Sequence, residues 1–173
     1  VHIGCDEPTL GVHPLTKAAA AAEVYGVSAV FVRHVERTVG VARRLGCSTL
    51  MWHDAGVSMS DALLLKLLRT GVTLVVWEYR GVGLELDAGA FTFAERIVAT
   101  AKGDSSERVP MVATSYKGGD ACDAVVPDET ARLTNQFAWR QWAETATARH
   151  GPTAPVEGIV LTGWSRFGHL MPL

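Results

Sequence analysis

Two hydrophobic periodicities alternate along the chain. Five short segments are continuously or nearly continuously apolar: Val1–Gly4, Ser48–Trp52, Thr73–Trp77, Pro110–Ser115 and Gly158–Gly163. Most are rich in Val, Ile or Leu, which suits strands buried on both faces. Between them the spacing becomes helical. Ala18–Tyr25 is Ala-rich, and Val27–Leu45 sets Val27, Val30, Phe31, His34, Val35, Thr38, Ala42 and Leu45 on one stripe. Ser58 or Ser60 can cap a helix running to about Leu68, with Gly71 beyond it. Phe91–Lys102 ends before Gly103, and Asp128 or Thr130 opens a long helix to about His150, closed by Gly151-Pro152.

The resulting order, β-α-β-α-β-α-β-α-β, predicts an α/β fold with parallel strands and right-handed crossovers. An open doubly wound sheet and a (β/α)8 TIM barrel share that order. A complete barrel needs ~250 residues, so with five strands the chain reads either as an open sheet or as the second part of a barrel. It opens on a strand end and stops at Met171-Pro172-Leu173 with no helix after the last strand, and the expectation is a fragment. No repeat or linker interrupts residues 1–173, and low complexity is confined to Ala18–Ala22. Gly103–Arg108 and Gly118–Pro127 read as surface loops.

Composition narrows the function. The net charge of −2 gives no electrostatic reason to bind nucleic acid or an anionic membrane. No apolar run reaches the ~18 residues of a membrane helix. Cys5, Cys47 and Cys122 are widely spaced and odd in number, which argues for reduced thiols rather than a disulfide framework or a zinc site. Gly81-Val82-Gly83 lacks the third glycine of a dinucleotide loop, and no phosphate-loop, GxSxG or HExxH motif is present.

The informative polar residues follow the strands. Asp6-Glu7 follow the first, Trp52-His53-Asp54 close the second, Trp77-Glu78-Tyr79 close the third, Tyr116-Lys117 follow the fourth, and Trp164 and Arg166 follow the fifth. In a parallel sheet these ends share one face, the one on which barrel enzymes carry their sites. Three strand-end tryptophans suit a carbohydrate pocket, because indole faces stack on the apolar faces of sugar rings. Each residue also has a structural reading. Asp6, Glu7 and Asp54 could be caps or solvated loop residues, and a strand-end Trp could be core. His34 reads as a packed histidine on its apolar stripe, and Trp139 and Trp142 as packing in the long helix. His2, inside the first strand, reads as a hydrogen bonder that supports the site. His13, His150 and His169 have no ligand spacing.

Taken together, these positions resemble family 20 of the glycoside hydrolases, the β-N-acetylhexosaminidases, and within it the hexosaminidase D branch. His2-Ile3-Gly4-Cys5-Asp6-Glu7 is similar to the HIGxDE signature, with Cys5 and Leu10-Gly11 similar to that branch. Trp52-His53-Asp54, Val76-Trp77-Glu78-Tyr79, Ser115-Tyr116-Lys117-Gly118 and the stretch from Gly158 to Phe167 (GIVLTGWSRF) resemble further segments in the same order. The first and last matches are specific, and the middle ones are weak individually.

The resemblance implies a (β/α)8 barrel of which this chain supplies about strands four to eight. It implies exo-hydrolysis of terminal β-linked N-acetylglucosamine or N-acetylgalactosamine from a glycan or glycoconjugate, without metal or organic cofactor. Two adjacent carboxylates cannot flank a glycosidic bond as acid and nucleophile, and this family uses substrate assistance instead. Glu7 would be the general acid and then base, with its pKa raised by a partly desolvated pocket. Asp6 would stay ionised and orient the 2-acetamido group. Tyr116, or else Tyr79, would hold the acetamido oxygen. Trp52, Trp77 and Trp164 would wall the pocket, and Arg166 or Asp54 would contact sugar hydroxyls. The branch favours a cytoplasmic or nuclear location. A non-catalytic sugar-binding module on the same barrel, or an unrelated open sheet binding a phosphorylated ligand, are the competing readings.

Overall fold

The computed structural model describes residues 1–80, 89–104, 109–117, 126–151 and 156–164. Gly81-Val82-Gly83, Cys122, Arg166 and His169 lie outside the described residues, as do Gly118 and Ser165-Phe167 of the matched segments. The elements run α1 (Pro14–Ala20), α2 (Gly26–Arg44), β1 (Thr49–Trp52), α3 (Asp54–Val57), α4 (Asp61–Arg69), β2 (Val72–Trp77), α5 (Ala90–Ala101), β3 (Met111–Lys117), α6 (Glu129–His150) and β4 (Gly158–Gly163). The fold is α/β, with helices between parallel strands. Two compact units divide it, Val1–Val75 with Arg96–Val109, and Val76–Glu95 with Pro110–Leu173.

In the first unit β1 runs parallel to β2, with Thr49 opposite Val72 and Trp52 opposite Val75. Val72–Val76, apolar except for Thr73, is buried at every position, the burial pattern expected of a strand covered on both faces. Helix α4 begins where the Ser60 side chain accepts the Leu63 amide at 3.4 Å, satisfying an otherwise orphaned donor. Its Leu63, Leu64, Leu67 and Leu68 form one fully buried stripe. Gly71, in the left-handed conformation at φ 95°, turns the chain from α4 into β2. Arg96 of α5 ties back to α4 by an ion pair with Asp61 at 2.7 Å.

Three expectations in this unit change. Val1–Gly4 does not form a regular strand. It pairs in parallel with β1 through a single bridge between His2 and Leu50, because Gly4 and Cys5 swing to φ 74° and 70° and end the extended run. The Ala-rich helix begins at Pro14 rather than Ala18 and ends at Ala20 rather than Tyr25. Pro14 suits the first helical turn, and the His13 ring accepts the Leu15 amide at 3.2 Å as its cap. The inward face of α2 consists of Phe31, Val32, Val35, Val39 and Ala42, so Val32 and Val39 take the places expected for His34 and Thr38. His34 is exposed and Leu45 is 74% exposed, since α2 packs against α1, α4 and β1 with its valine-rich side.

In the second unit β3 and β4 are parallel from Met111–Gly158 to Ser115–Thr162, with an irregularity before Lys117. Helix α6 opens on Asp128, whose side chain accepts the Ala131 amide at 2.9 Å. It packs on β3 and buries Ala131, Arg132, Asn135, Trp139, Trp142 and Ala146, positions recurring every three to four residues. Trp139 meets Phe91 of α5 at 4.3 Å between ring centroids and Trp142 edge-on at 5.8 Å. The expected packing role of both tryptophans is therefore observed.

The buried stripe of α4 yields a direct test. Leu64→Ala empties a site with no solvent exposure and is expected to destabilise folding by about 2–5 kcal/mol. Leu45→Ala, on the exposed end of α2, is expected to stay within about 0.5 kcal/mol of the parent. Urea denaturation of the two variants beside the parent measures the contrast.

Candidate functional site

The acidic pair is placed by a short ladder and a sharp turn. The amide of Ile3 donates to the Leu50 carbonyl at 2.8 Å, Leu50 donates back to Val1 at 2.8 Å, and Trp52 donates to Gly4 at 2.9 Å. Gly4 thus lies level with the end of β1. The chain then leaves the ladder through Gly4 at φ 74°, Cys5 at 70° and Glu7 at 40°. Glycine tolerates the first of these, but the left-handed conformation costs about 1 kcal/mol or more at each non-glycine residue. Such strain concentrates where the direction of a side chain matters.

His2 supports this turn. Its Nδ1 accepts the Gly4 amide at 3.0 Å, and its ring lies 4.6 Å from that of Trp52, tilted by 51°. Burial lowers the pKa of His2, the Asp6 carboxylate partly offsets this, and the N-terminal ammonium adds to the lowering. Two of these influences, burial first and Asp6 second, push the Cys5 thiol up and hold it protonated. Asp6 and Glu7 are both exposed.

Trp52 is buried, 8% exposed, against His2. His53 is buried immediately before the short helix α3, its amide donating to the Val75 carbonyl at 3.2 Å. Asp54 is the first residue of α3, with its Oδ2 3.9 Å from His53 Nδ1.

The second unit holds the other aromatic candidates. Trp77 and Tyr79 alternate with Glu78 and so share a side of the extended chain. Their rings stack at 5.3 Å with an interplanar angle of 22°. Tyr116 is 58% exposed near the end of β3, and Trp164 is 41% exposed just past the end of β4. Thr162 of β4 donates to the Thr114 carbonyl at 3.0 Å and helps hold β4 on β3.

Glu78 is buried and fully committed. Its Oε1 accepts the amides of Tyr79 at 3.0 Å and Arg80 at 2.9 Å, and the Arg80 Nε at 3.0 Å. Its Oε2 accepts from Arg80 Nη2 at 2.5 Å. Burial alone would raise the Glu78 pKa, but the hydrogen bonds and charge of Arg80, with the Tyr79 amide, outweigh it and hold the carboxyl below its ordinary value. Glu78 accordingly shapes the turn after β2 and is not free to act as an acid.

From the other side, Asn135 of α6 donates to the carbonyls of Glu78 at 2.8 Å and Arg80 at 2.7 Å. Its Oδ1 accepts from the Thr114 hydroxyl at 2.6 Å. The Trp139 indole also reaches the Glu78 carbonyl, at 3.4 Å.

The structure thus brings His2, Gly4 and Trp52 together in one unit, and Trp77 with Tyr79 in the other. His53 and Glu78 stand among the strand-end polar residues of the sequence without an assigned role, and Asn135 does not stand out there. The alternation of Trp77, Glu78 and Tyr79 was legible, but a polar residue on the buried stripe of α6 was the only signal for Asn135. Among the described residues no group of three or more His, Cys, Asp or Glu side chains is arranged to hold a metal ion. No described helix is long and apolar enough to cross a membrane.

No protein-family model matches the chain. The chain is similar to Hexosaminidase D of Homo sapiens, at 28% identity over 176 aligned residues. The alignment covers 98% of this chain and 33% of that protein, so the chain spans about a third of the length of the curated relative it matches. This relates the chain distantly to a hexosaminidase.

The Glu78–Arg80 pair has a pH signature. A carboxyl with a lowered folded-state pKa stabilises the fold fully above its unfolded value of about 4.3, and the contribution is lost as pH falls through the folded value. Stability is therefore expected to decline below about pH 4. Glu78→Gln is expected to lower stability at pH 7 and to flatten that acid limb, as measured by urea melts between pH 7 and pH 3.

Proposed function

We propose that the chain is part of the catalytic domain of a retaining exo-β-N-acetylhexosaminidase of glycoside hydrolase family 20, supplying about strands four to eight of a (β/α)8 barrel. Its substrate would be a glycan or glycoconjugate ending in β-linked N-acetylglucosamine or N-acetylgalactosamine. The observation that carries this reading is the Asp6-Glu7 pair at a tight turn beyond the first ladder, within a sequence similar to a hexosaminidase along 98% of this chain. A cytoplasmic or nuclear location goes with the same reading.

In the proposed reaction the carbonyl oxygen of the substrate's 2-acetamido group attacks C1. The glycosidic oxygen departs with the proton of Glu7, leaving an oxazolinium ion. The Glu7 carboxylate then takes a proton from the water that attacks C1 and opens the ring. Asp6 accepts from the acetamide N–H and offsets the positive charge that develops there. Tyr116, or else Tyr79, holds the acetamido oxygen. Trp77 and Trp164 offer ring faces to the sugar, Trp52 backs the wall, and Asp54 or Arg166 contacts hydroxyls. No metal or organic cofactor enters this chemistry.

One observation favours a second reading. Glu7 is exposed, whereas a general acid working near neutral pH needs a raised pKa, commonly obtained by burial. A non-catalytic sugar-binding module on the same barrel would not need that burial.

Glu7→Gln in the complete natural protein is expected to lower kcat for an aryl N-acetyl-β-hexosaminide by at least about 100-fold with the melting temperature kept. Asp6→Asn is expected to lower kcat and weaken binding of a thiazoline analogue of the intermediate. Unchanged turnover by Glu7→Gln would remove the acid assignment. Sugar binding without hydrolysis by the parent protein would establish the binding module instead.

A further inference from the structure

The Asn135 side chain is fully buried in the middle of α6, yet all of its main hydrogen-bonding directions are used. Both amide hydrogens go to carbonyls of the turn after β2, Glu78 at 2.8 Å and Arg80 at 2.7 Å, and its oxygen receives the Thr114 hydroxyl at 2.6 Å. The two carbonyls fix which way the amide faces, because a flipped amide would set its oxygen against both of them, whereas the Thr114 hydroxyl can accept as well as donate. A helix needs no such residue for its own stability, and an apolar side chain would fill the position at lower risk. What the amide does is bridge two carbonyls on either side of Tyr79. The Glu78 carboxylate grips the same turn through the amides of Tyr79 and Arg80. Between them the two side chains bind both donors and acceptors of the backbone that carries the Trp77–Tyr79 stack.

We infer that Asn135 is a positioning residue for the stacked aromatic pair Trp77–Tyr79, holding the turn around Tyr79 in the geometry that keeps Trp77 placed for a sugar. The inference rests on the sugar-binding role proposed above for those rings. Asn135 touches no substrate and acts through the backbone of Glu78 and Arg80. Because stacking on a sugar ring persists from bound substrate to transition state, losing it weakens binding more than it slows the chemical step.

The test uses the complete natural protein with Asn135→Asp, which keeps size and acceptor but replaces both donors, and Thr114→Val, which removes only the hydroxyl that donates to the amide oxygen. Trp77→Ala is the reference. Both network variants are expected to raise KM for an aryl N-acetyl-β-hexosaminide by about tenfold with kcat within about threefold of the parent. Hydrogen exchange at the Tyr79 and Arg80 amides is expected to quicken while the β3 amides stay protected. If Asn135→Asp does not fold, Thr114→Val carries the same two measurements. Unaltered exchange in the variants overturns the inference whatever the activity. Faster exchange with unaltered KM overturns it as well, if Trp77→Ala raises KM. A Trp77→Ala protein with the parent KM overturns the sugar-stacking role of the ring, and the exchange rates then decide separately whether Asn135 holds the turn.

Discussion

The buried amide of Asn135 has no access to water, so its hydrogen bonds must all be made within the protein or the fold loses several kcal/mol. That requirement fixes more than one residue. The two carbonyls it reaches belong to Glu78 and Arg80, 57 and 55 positions earlier in the chain, and its third partner is Thr114 of β3. The rotation of α6 about its axis, its register along β3 and the path of the chain leaving β2 are therefore set together. The neighbouring buried surface agrees. Trp139, one turn further along α6, adds a bond to Glu78 and packs on Phe91. A slip of α6 by one residue would strand the amide and pull both tryptophans from their pockets.

The first unit relies on a different constraint, the continuous burial of β2 and the leucine stripe of α4. Apolar contact supplies the attraction there without choosing directions, and direction comes from local devices such as the Ser60 cap and the Gly71 turn. At the edge of this unit the chain gives up regularity. The ladder of Val1–Gly4 is cut short by a run of left-handed residues, two of them not glycine. This strained turn carries the acidic pair, with His2 and Trp52 packed beneath it. Local strain supported by a rigid neighbour is a common arrangement where the direction of a side chain matters more than stability.

Much of this is legible in the sequence. β4 is where its apolar run lies, and β1, β2 and β3 differ from theirs by one or two residues at an end. The caps Ser60 and Asp128 were readable because capping is a contact between residues three apart. The errors fall where neighbours in space decide. The inward face of α2 is not legible in the sequence, because several rotations of that helix look equally apolar and only the packing of α1, α4 and β1 selects one. Val1–Gly4 read as a strand because its composition is that of one, while nothing in Cys5 or Glu7 announces a positive φ.

The candidate chemistry divides along the same line. The sequence by itself determined the α/β order, the parallel strands and the placing of acidic and aromatic residues after strand ends, because these follow from periodicities and short-range contacts. Only the tertiary structure decided that Glu78 is spent on Arg80 and its own turn, that Trp52 is buried while Tyr116 is exposed, and that Asn135 serves a loop more than fifty residues away. A side chain's hydrogen-bond partners depend on which distant backbone groups the fold leaves unsatisfied beside it, and no local pattern of residues records that.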